Sequence, residues 1–350
     1  MEKSLTYDDI LLIPQYSEVE SRSQISLVTN VTTNYKLMIP YVASCMDTIC
    51  ESLMSIKLME MGGVGCLHRF MSIESQVNEV KKIVEFKNSN TWNKKMWGDN
   101  NIPVMCAIGV SDSDIERSEE LVRNGANILI IDVAHGHHIN VKRMVEKLKN
   151  ILPSYVDIIG GNICTLQSAI DLCNWGCDGL RLGVGGGSLC TTRIQTGHGI
   201  PNITAFKDCV LGSTVPVMGD GGLRNSGDIA KALSVGCDTV MLGSIISGTD
   251  ETPGEIFKGD LGKRFFKKYR GLASLETKLT YGQPGKHVEG ESTYVDCKGS
   301  ITPIIENLND GLRSALSYSG SFNIEEFHYK SKYVEITNSG LIESKPHLLK

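Results

Sequence analysis

Short apolar runs separated by amphipathic segments dominate the chain. Apolar residues spaced by three and four predict helices over residues 72–86, 113–124, 140–150, 166–175 and 226–235. The apolar runs between such segments are short and often β-branched, as buried strands are: 41–46, 63–67, 104–108, 128–132, 157–161, 179–182, 215–219 and 240–243. This alternation favours a parallel sheet, and its eight runs predict an α/β fold, a (β/α)8 TIM barrel.

Two polar segments interrupt the alternation. Residues 86–102 are rich in Asn and predict a surface excursion. Residues 275–300 are polar and rich in glycine, which is typical of a mobile lid over the mouth of a barrel. The pattern predicts a single catalytic barrel domain over residues 1–350.

Composition and charge indicate which partners and which cellular compartment to expect. With 350 residues, 41% hydrophobic and 21% charged, the chain can bury a full core. A net charge of −5 without a long basic run argues against nucleic acid or an anionic membrane as a partner. The eleven cysteines are scattered, and the N-terminus has no apolar signal core, so we expect a cytoplasmic protein without disulfides. Every thiol except Cys190 is expected to be buried, including Cys173 and Cys177.

Polar and glycine residues follow the predicted strands, where a barrel keeps its active site. Asp220 suits a ribose diol, although an Asp in this setting is also a common turn residue. The loops around Asp220 and Ser244 fit the phosphate position after the last two strands. For His135, His137 and His138 we favour a loop lining over a metal site, because no further ligands complete a cluster. The rim residues are Ser44, Met46, His68, Arg69, Asp132, Asn162, Asp220, Gly221, Gly222, Gly243 and Ser244.

The strongest chemical signal is the loop at residues 183–192, Gly-Val-Gly-Gly-Gly-Ser-Leu-Cys-Thr-Thr. Its glycines allow backbone N–H groups to close on an anion, and a thiol among such dipoles ionises more easily than one in a core. The loop therefore indicates a phosphate beside a nucleophilic Cys190. The alternative is that Cys190 is one more buried thiol.

In their order along the chain, several blocks resemble the inosine monophosphate dehydrogenase and GMP reductase family. They are residues 5–14, 44–48, 67–72, 132–136, 160–162, the Cys190 loop, 219–222 and 241–244. The resemblance implies that Cys190 adds to purine C2 and forms a thioimidate. The dehydrogenase then oxidises IMP with NAD and hydrolyses the adduct, whereas the reductase expels ammonia from GMP and uses NADPH.

Within the family, three features favour the reductase. The CBS modules that dehydrogenases usually insert after the second helix are absent, since only residues 86–102 stand there. No Arg occurs between Arg270 and Arg313, so the Arg-Tyr pair with which a dehydrogenase lid activates water is missing. The Ser21-Arg22 pair resembles the segment with which reductases hold NADPH, and Arg22 suits its 2′-phosphate.

The resemblance assigns roles position by position. Cys190, Thr192 and Glu289 are the expected catalytic residues, the last two protonating the departing ammonia. The backbone carbonyls of Gly185, Gly187 and Cys190, with Arg193, resemble a loop that binds a monovalent cation such as K+. The remaining expected substrate-binding residues are Ser44, Met46, Asn162, Arg181, Ser188, Asp220, Gly221, Gly222, Gly243, Ser244, Tyr269 and Gly271. The expected NADPH-binding residues are Ser21, Arg22, His68, Arg69, Asp132, Ala134, Ser314 and Ser317, and residues 313–317 resemble a segment that reaches a neighbouring subunit, so a homotetramer is expected.

Some positions depart from the reductase pattern. Gly186 stands where the family normally has Pro or Ser, which makes the cysteine loop more flexible. Arg181 and the segment 269–271 resemble the dehydrogenase, because Lys is usual in reductases at the first of these positions. The sequence thus favours GMP reductase and leaves two alternatives: an IMP dehydrogenase without CBS modules, and a purine nucleotide sensor that has lost catalysis.

Overall fold

The computed structural model describes residues 3–259, 264–282 and 288–346, and a closed parallel barrel lies at its centre. Each strand pairs in parallel register with its neighbours, and the last pairs with the first through Val240 and Tyr41. The predicted TIM barrel is confirmed, with strand ends that differ from the predicted ones by a few residues. The strands are β1 (Tyr41–Ala43), β2 (Val64–Leu67), β3 (Met105–Ile108), β4 (Ile128–Asp132), β5 (Asp157–Ile163), β6 (Gly179–Leu182), β7 (Val217–Asp220) and β8 (Thr239–Leu242).

A helix follows each barrel strand. The five predicted helices are present, and α1, α6 and α8 complete the ring. Helix α1 was missed because apolar residues lie all round it: Leu53 is 59% exposed, whereas Met54 and Leu58 are buried. The helices are α1 (Ser52–Met61), α2 (Ile73–Asn88), α3 (Ser113–Arg123), α4 (Ile139–Ile151), α5 (Leu166–Trp175), α6 (Asn202–Gly212), α7 (Ser226–Ser234) and α8 (Thr302–Tyr318).

Shorter elements surround the barrel. An antiparallel sheet of Ile256–Lys258, Phe265–Arg270 and Ser292–Asp296 stands beside its mouth. Two strand pairs, Ile10–Leu12 with Tyr333–Glu335 and Thr29–Asn30 with Lys36–Leu37, lie outside the barrel. The remaining short helices are Tyr7–Asp9, Arg22–Gln24, Lys94–Trp97, Thr192–Thr196, Leu275–Thr280, Ile324–Lys330 and Asn338–Glu343. In the described parts of the chain, every helix is too short or too polar to span a bilayer.

The same pair of side-chain and backbone hydrogen bonds occurs three times at the N-terminal end of the barrel, and we call each pair a clip. Asn127, Asp178 and Asp238 lie just before β4, β6 and β8. Their side chains accept the backbone N–H groups of Val104, Ile158 and Val217, respectively, at 2.7, 2.7 and 2.8 Å. Each also donates its own N–H back to that residue's carbonyl. Two residues earlier stands a glycine with φ near +100°, which ends the preceding helix. These clips satisfy buried backbone groups where the strands begin.

Both interrupting segments carry more structure than their polarity suggested. Most of residues 86–102 is exposed, but the Trp97 side chain is 1% exposed and its indole N–H donates to Met59 O at 3.1 Å. This excursion is therefore anchored to the end of α1. The predicted lid contains the helix Leu275–Thr280 and the strand Ser292–Asp296. Residues 283–287 of the lid lie outside the described part.

Candidate active site

A pocket of about 450 Å³ opens at the C-terminal end of the barrel. The loops after the strands and the near part of the lid form its wall, as expected for this fold. Of the predicted residues, these line it: Ser44, Met46, Arg69, Asp132, Ala134, Asn162, Arg181, Gly185, Gly187, Ser188, Cys190, Thr192, Asp220, Gly221, Tyr269, Gly271 and Glu289.

The thiol of Cys190 begins a chain of hydrogen-bonding groups. Its Sγ lies 3.1 Å from Thr192 Oγ1, in the first turn of the helix Thr192–Thr196. The same hydroxyl donates to Glu289 Oε2 at 2.7 Å. A hydroxyl that donates to the carboxylate keeps its lone pairs for the thiol. The three groups therefore form a path along which a proton can pass between the sulfur and Glu289.

Backbone pairing fixes Glu289 beside the cysteine loop. Its carbonyl accepts Thr191 N at 3.0 Å, and its own N–H donates to Ala273 O at 3.1 Å. Glu291 N donates to Leu189 O at 2.9 Å, so the loop and the lid pair on both sides of this carboxylate. Glu289 is thus held by the main chain and is not a loosely attached surface side chain.

A buried arginine joins two carboxylates on the pocket floor. Arg181 Nη1 donates to Asp132 Oδ1 at 2.7 Å, while its Nε and Nη2 lie 3.0 and 2.9 Å from Asp220 Oδ2. Asn162 Nδ2 donates to the same Asp220 oxygen at 2.9 Å. Burial opposes the charge of Arg181, but Asp220 and Asp132 outweigh it and hold the pKa of the guanidinium well above its ordinary value. The other side of each carboxylate faces the pocket.

Another part of the pocket wall suits an anion. Ser188 Oγ lies 3.0 Å from Tyr269 Oη, and burial raises the pKa of this tyrosine, so its hydroxyl keeps its proton. Gly221 has φ +94°, and a Cβ there would lie 2.9 Å from the carbonyl carbon of Gly186. Only glycine allows the two loops to approach so closely. The result is a patch of backbone and hydroxyl groups beside the thiol.

Comparison with known proteins decides the family. The sequence profile of the IMP dehydrogenase / GMP reductase domain matches residues 4–347. An inosine-5′-monophosphate dehydrogenase of Cryptosporidium parvum is 39% identical to the chain, over 99% of this chain and 95% of that protein. The chain belongs to the IMP dehydrogenase / GMP reductase family.

Members with either activity resemble this chain. A GMP reductase of Leishmania donovani is 32% identical, over 99% of this chain and 97% of that protein. Among solved structures, a cysteine-to-alanine variant of GMP reductase from Trypanosoma brucei, in complex with guanosine 5′-monophosphate, superposes with a TM-score of 0.90 at 30% identity. The match covers 99% of this chain and 98% of that one. The family indicates an oxidoreductase of purine nucleotide metabolism that acts on GMP or IMP with a nicotinamide cofactor.

Cys190 differs from the other thiols of this family member. All eleven cysteines are unpaired. Seven of the other ten are buried, and burial raises the pKa of Cys50, Cys66 and Cys237 well above its ordinary value. The prediction of ten buried thiols was wrong for Cys164, Cys173 and Cys297, which are partly exposed. Of the eleven, Cys190 alone contributes to the lining of the pocket.

Several predicted residues lie outside the lining of this pocket. His68 is 1% exposed and contacts Glu51 Oε1 at 3.3 Å. Gly222 and Arg193 line a smaller cavity of about 240 Å³ behind the cysteine loop. A Cβ on Gly243 would lie 3.2 Å from Tyr269 Oη, so this residue stands just behind the wall, and Ser244 follows it.

The predicted Ser-Arg segment and the end of α8 form a separate region. Ser21 caps the short helix Arg22–Gln24, which packs against α8, the helix of Ser314 and Ser317. None of these four residues lines the pocket of the same chain. The structure thus places the two helices side by side, outside the lining of the pocket that contains Cys190.

The three histidines after β4 also stay outside the pocket lining. His137 Nε2 lies 2.8 Å from Asp171 Oδ2, and its ring stacks on Trp175. His138 Nδ1 accepts Asn140 N at 3.1 Å and so caps α4. Within the described ranges, no group of three or more His, Cys, Asp or Glu is arranged to hold a metal ion.

Some lining residues were missed. Phe70 stacks under the guanidinium of Arg69 at 5.0 Å and lies 5.8 Å from the ring of Tyr281. Lys278 reaches the pocket from the lid helix. The signal for Phe70 was its place directly after the rim residue Arg69, whereas Lys278 depends on how the lid folds. The other missed lining residues are Val133, Leu272 and Ala273, whereas Gly183, Val184, Gly186 and Leu189 belong to the predicted cysteine loop.

Proposed function

We propose that this chain is a GMP reductase that converts GMP to IMP and ammonia with NADPH, through a thioimidate on Cys190. The observation that carries the proposal is the contact of Cys190 with Thr192 and of Thr192 with Glu289. A thiol nucleophile needs a partner that moves protons to and from the reacting group. A protein that only binds nucleotides needs neither the thiol nor the relay.

The sulfur of Cys190 attacks C2 of the purine and forms a carbon–sulfur bond. The C2–N bond then breaks, and ammonia leaves with protons that Glu289 delivers through Thr192. When bound, reduced nicotinamide supplies a hydride to C2. The carbon–sulfur bond then breaks, which returns the thiolate and releases IMP, so GMP, NADPH and two protons give IMP, NADP+ and ammonium.

The residues around the thiol suit this nucleotide. The carboxylate of Asp220 can accept hydrogen bonds from the ribose hydroxyls, and Ser188, Gly221 and Tyr269 are the proposed partners of the 5′-phosphate. Ser44, Met46 and Asn162 face the base. The Trypanosoma brucei reductase, which superposes on this chain, holds GMP.

The cofactor side of the pocket contains Arg69, Asp132 and Ala134. Arg69 Nη2 donates to Asp132 O at 3.2 Å, and its Nε lies 3.8 Å from Asp132 Oδ2. The partly exposed guanidinium is the proposed partner of a polar or anionic group of the dinucleotide. Arg22, Ser21, Ser314 and Ser317 are not among the residues that line this pocket, so we assign them to the NADPH of a neighbouring subunit in a homotetramer. The carbonyls of Gly185, Gly187 and Cys190 are the proposed K+ ligands.

The lid supports the reductase over the dehydrogenase. No Arg follows Arg270 until Arg313. The guanidinium of Arg270 hydrogen-bonds with the buried Asp47, and Tyr281 also donates to Asp47, at 3.1 Å. In the described lid, neither an arginine nor a tyrosine lines the pocket to activate water. The second candidate is an IMP dehydrogenase, which Arg181 and the 39% identical relative favour.

Two mixtures distinguish these activities. Purified protein is given GMP with NADPH, or IMP with NAD, and nicotinamide absorbance is followed, with Cys190→Ala as the control for contaminating enzymes. We expect absorbance to fall in the first mixture, with ammonium and IMP formed in equal amounts, and no change in the second. A rise confined to the second mixture would establish the dehydrogenase. Tight nucleotide binding without change in either mixture would establish the sensor.

A further inference from the structure

The cysteine loop lies directly on the loop after β7. A Cβ on Gly221 would lie 2.9 Å from the carbonyl carbon of Gly186 and 2.9 Å from Gly187 N. A Cβ on Gly222 would lie 3.2 Å from Gly186 O. The peptide bond between Gly186 and Gly187 is therefore pressed against glycine backbone on the nucleotide side, and small movements of one loop move the other.

The side chain of Asn202 fills the space behind this peptide. Asn202 is the first residue of α6 and is 4% exposed. Its Nδ2 donates to Gly221 O at 2.7 Å and more weakly to Asp220 O at 3.4 Å. A Cβ on Gly186 would lie 2.6 Å from both Nδ2 and Oδ1 of Asn202. The amide of Asn202 thus occupies the volume that a side chain at position 186 would need.

Two further residues restrict the position of this amide. Tyr7 Oη donates to Gly221 O at 3.1 Å, so that carbonyl accepts two hydrogen bonds. Arg193 Nη2 lies 3.5 Å from Asn202 Oδ1, donates to Ile200 O at 2.7 Å, and packs against Gly185. With its donor and acceptor ends engaged on different segments, the buried amide has one low-energy orientation.

We propose that Asn202 is a positioning residue that holds the cysteine loop and the phosphate-side turn in one arrangement, and that Gly186 and Asn202 form a single packing unit. The glycine at position 186 is then required by Asn202, and the three successive glycines do not make the loop loose in the folded protein. The inference rests on the proposed nucleotide site. It does not depend on whether the chain reduces GMP or oxidises IMP.

A double-mutant cycle tests this unit. The variants are Asn202→Ala, Gly186→Ala and the two combined, with Asn93→Ala in the surface excursion as the matched control. GMP and IMP affinities are measured by calorimetry without cofactor, and hydrogen exchange is measured for the peptide that contains residues 183–190. Both readouts are independent of the direction of the reaction.

We expect Asn202→Ala to weaken affinity for both nucleotides by about tenfold, a typical effect of losing a buried hydrogen bond together with its packing. Hydrogen exchange of the cysteine loop should become faster, and the melting temperature should fall by a few degrees relative to Asn93→Ala, because a buried hydrogen bond is also lost from the fold. Gly186→Ala should have a similar effect, because its methyl group displaces the amide. When Asn202→Ala is already present, adding Gly186→Ala should change affinity by less than about twofold, since the clash has been removed.

Additive losses in the cycle, or unchanged affinity and exchange in Asn202→Ala, would overturn the proposal. If Asn202→Ala does not fold, Asn202→Asp provides the second test. This variant keeps the shape and the acceptor for Arg193 but removes the donor to Gly221 O, so it should weaken nucleotide affinity to a similar extent. Wild-type affinity in Asn202→Asp would contradict the positioning role.

Discussion

The two ends of the barrel use the same kind of side chain for different purposes. At the N-terminal end, Asp178 and Asp238 accept backbone N–H groups of neighbouring strands. At the C-terminal end, Asp132 and Asp220 are joined through Arg181 and face the pocket. A carboxylate that accepts main-chain N–H groups away from any pocket stabilises the fold, even where it also pairs with a lysine as Asp178 does, whereas one held by Arg181 beside a cavity remains available to a ligand.

The charged partners of these carboxylates also differ between the two ends of the barrel. Burial raises the pKa of Asp238 to about 6, although its hydrogen bonds from Val217 N and its own N–H lower it. Burial also raises the pKa of Asp178, against the opposing effect of Lys149. Among the described residues, no cation pairs with Asp238 as Arg181 pairs with the two carboxylates at the mouth. The difference predicts that substitutions at the mouth change turnover, and that substitutions at the other end change stability.

Among the substitutions that test this comparison, Glu289→Gln at the mouth of the barrel is expected to have the largest effect, which is on kcat. The amide can still hydrogen-bond with Thr192 but cannot deliver a proton, so we expect kcat with GMP and NADPH to fall by about a hundredfold. The dissociation constant for GMP should change by less than about twofold, and the melting temperature should not change. Glu291→Gln, two residues along the lid, is the matched control with normal kcat. Equal losses of affinity and turnover would make Glu289 a binding residue.

A smaller effect is expected from Arg181→Lys. A single ammonium group cannot replace the three nitrogens with which arginine contacts Asp132 and Asp220, so at least one carboxylate loses its hydrogen bond to residue 181. We expect KM for GMP to rise by about tenfold, as measured by steady-state kinetics. Family reductases usually carry Lys here, so unchanged or improved kinetics would show that this chain does not depend on the bridge.

The smallest effect is expected from Asp238→Asn at the other end of the barrel. In the wild type, the folded protein binds the proton of Asp238 more tightly than the unfolded chain, whose carboxyl has a pKa near 3.8. The free energy of unfolding therefore falls as pH rises from about 4 to about 6, by roughly 2–3 kcal/mol, and this contribution is constant above pH 6. Asn keeps the acceptor for Val217 N and removes the charge, so this part of the pH dependence should disappear.

Urea unfolding at several pH values measures this difference, with kcat at neutral pH as the control, which we expect to be unchanged. Asn127 occupies the same position in a third clip and shows that an amide can serve there. The reverse change, Asn127→Asp, should add a fall in stability over the same pH range. Identical pH profiles for wild type and Asp238→Asn would contradict the assignment.

The sequence predicts those parts of the fold that are encoded in local patterns of apolar residues. The eight strands were recognisable because they are short apolar runs buried on both faces, such as Ile128–Asp132. Helix α1 was missed because its apolar residues do not keep to one side. The clips of Asn127, Asp178 and Asp238 were missed because each side chain contacts a backbone N–H on a neighbouring strand, 23, 20 and 21 residues earlier, which no local pattern reports. A Gly two residues before each was a visible signal.

The site divides in a similar way. Cys190 and Asp220 were predicted because they lie in glycine-rich loops that follow strands, whereas Thr192 and Glu289 were predicted only from the family resemblance. The contact between Thr192 and Glu289 joins residues 97 positions apart and depends on the lid pairing with the cysteine loop, which no local pattern reports. The role of Asn202 behind Gly186 was likewise invisible, because it depends on the absence of a side chain and on the packing of three separate segments.

The covalent bond between Cys190 and the purine is the central claim of this account. Protein mixed with GMP in the absence of NADPH is quenched in acid, digested and analysed by mass spectrometry. We expect a purine nucleotide on the peptide that contains Cys190, which is lost when NADPH is added and does not form in Cys190→Ala. That variant should still bind GMP but have no measurable turnover. Normal turnover in Cys190→Ala would contradict the account.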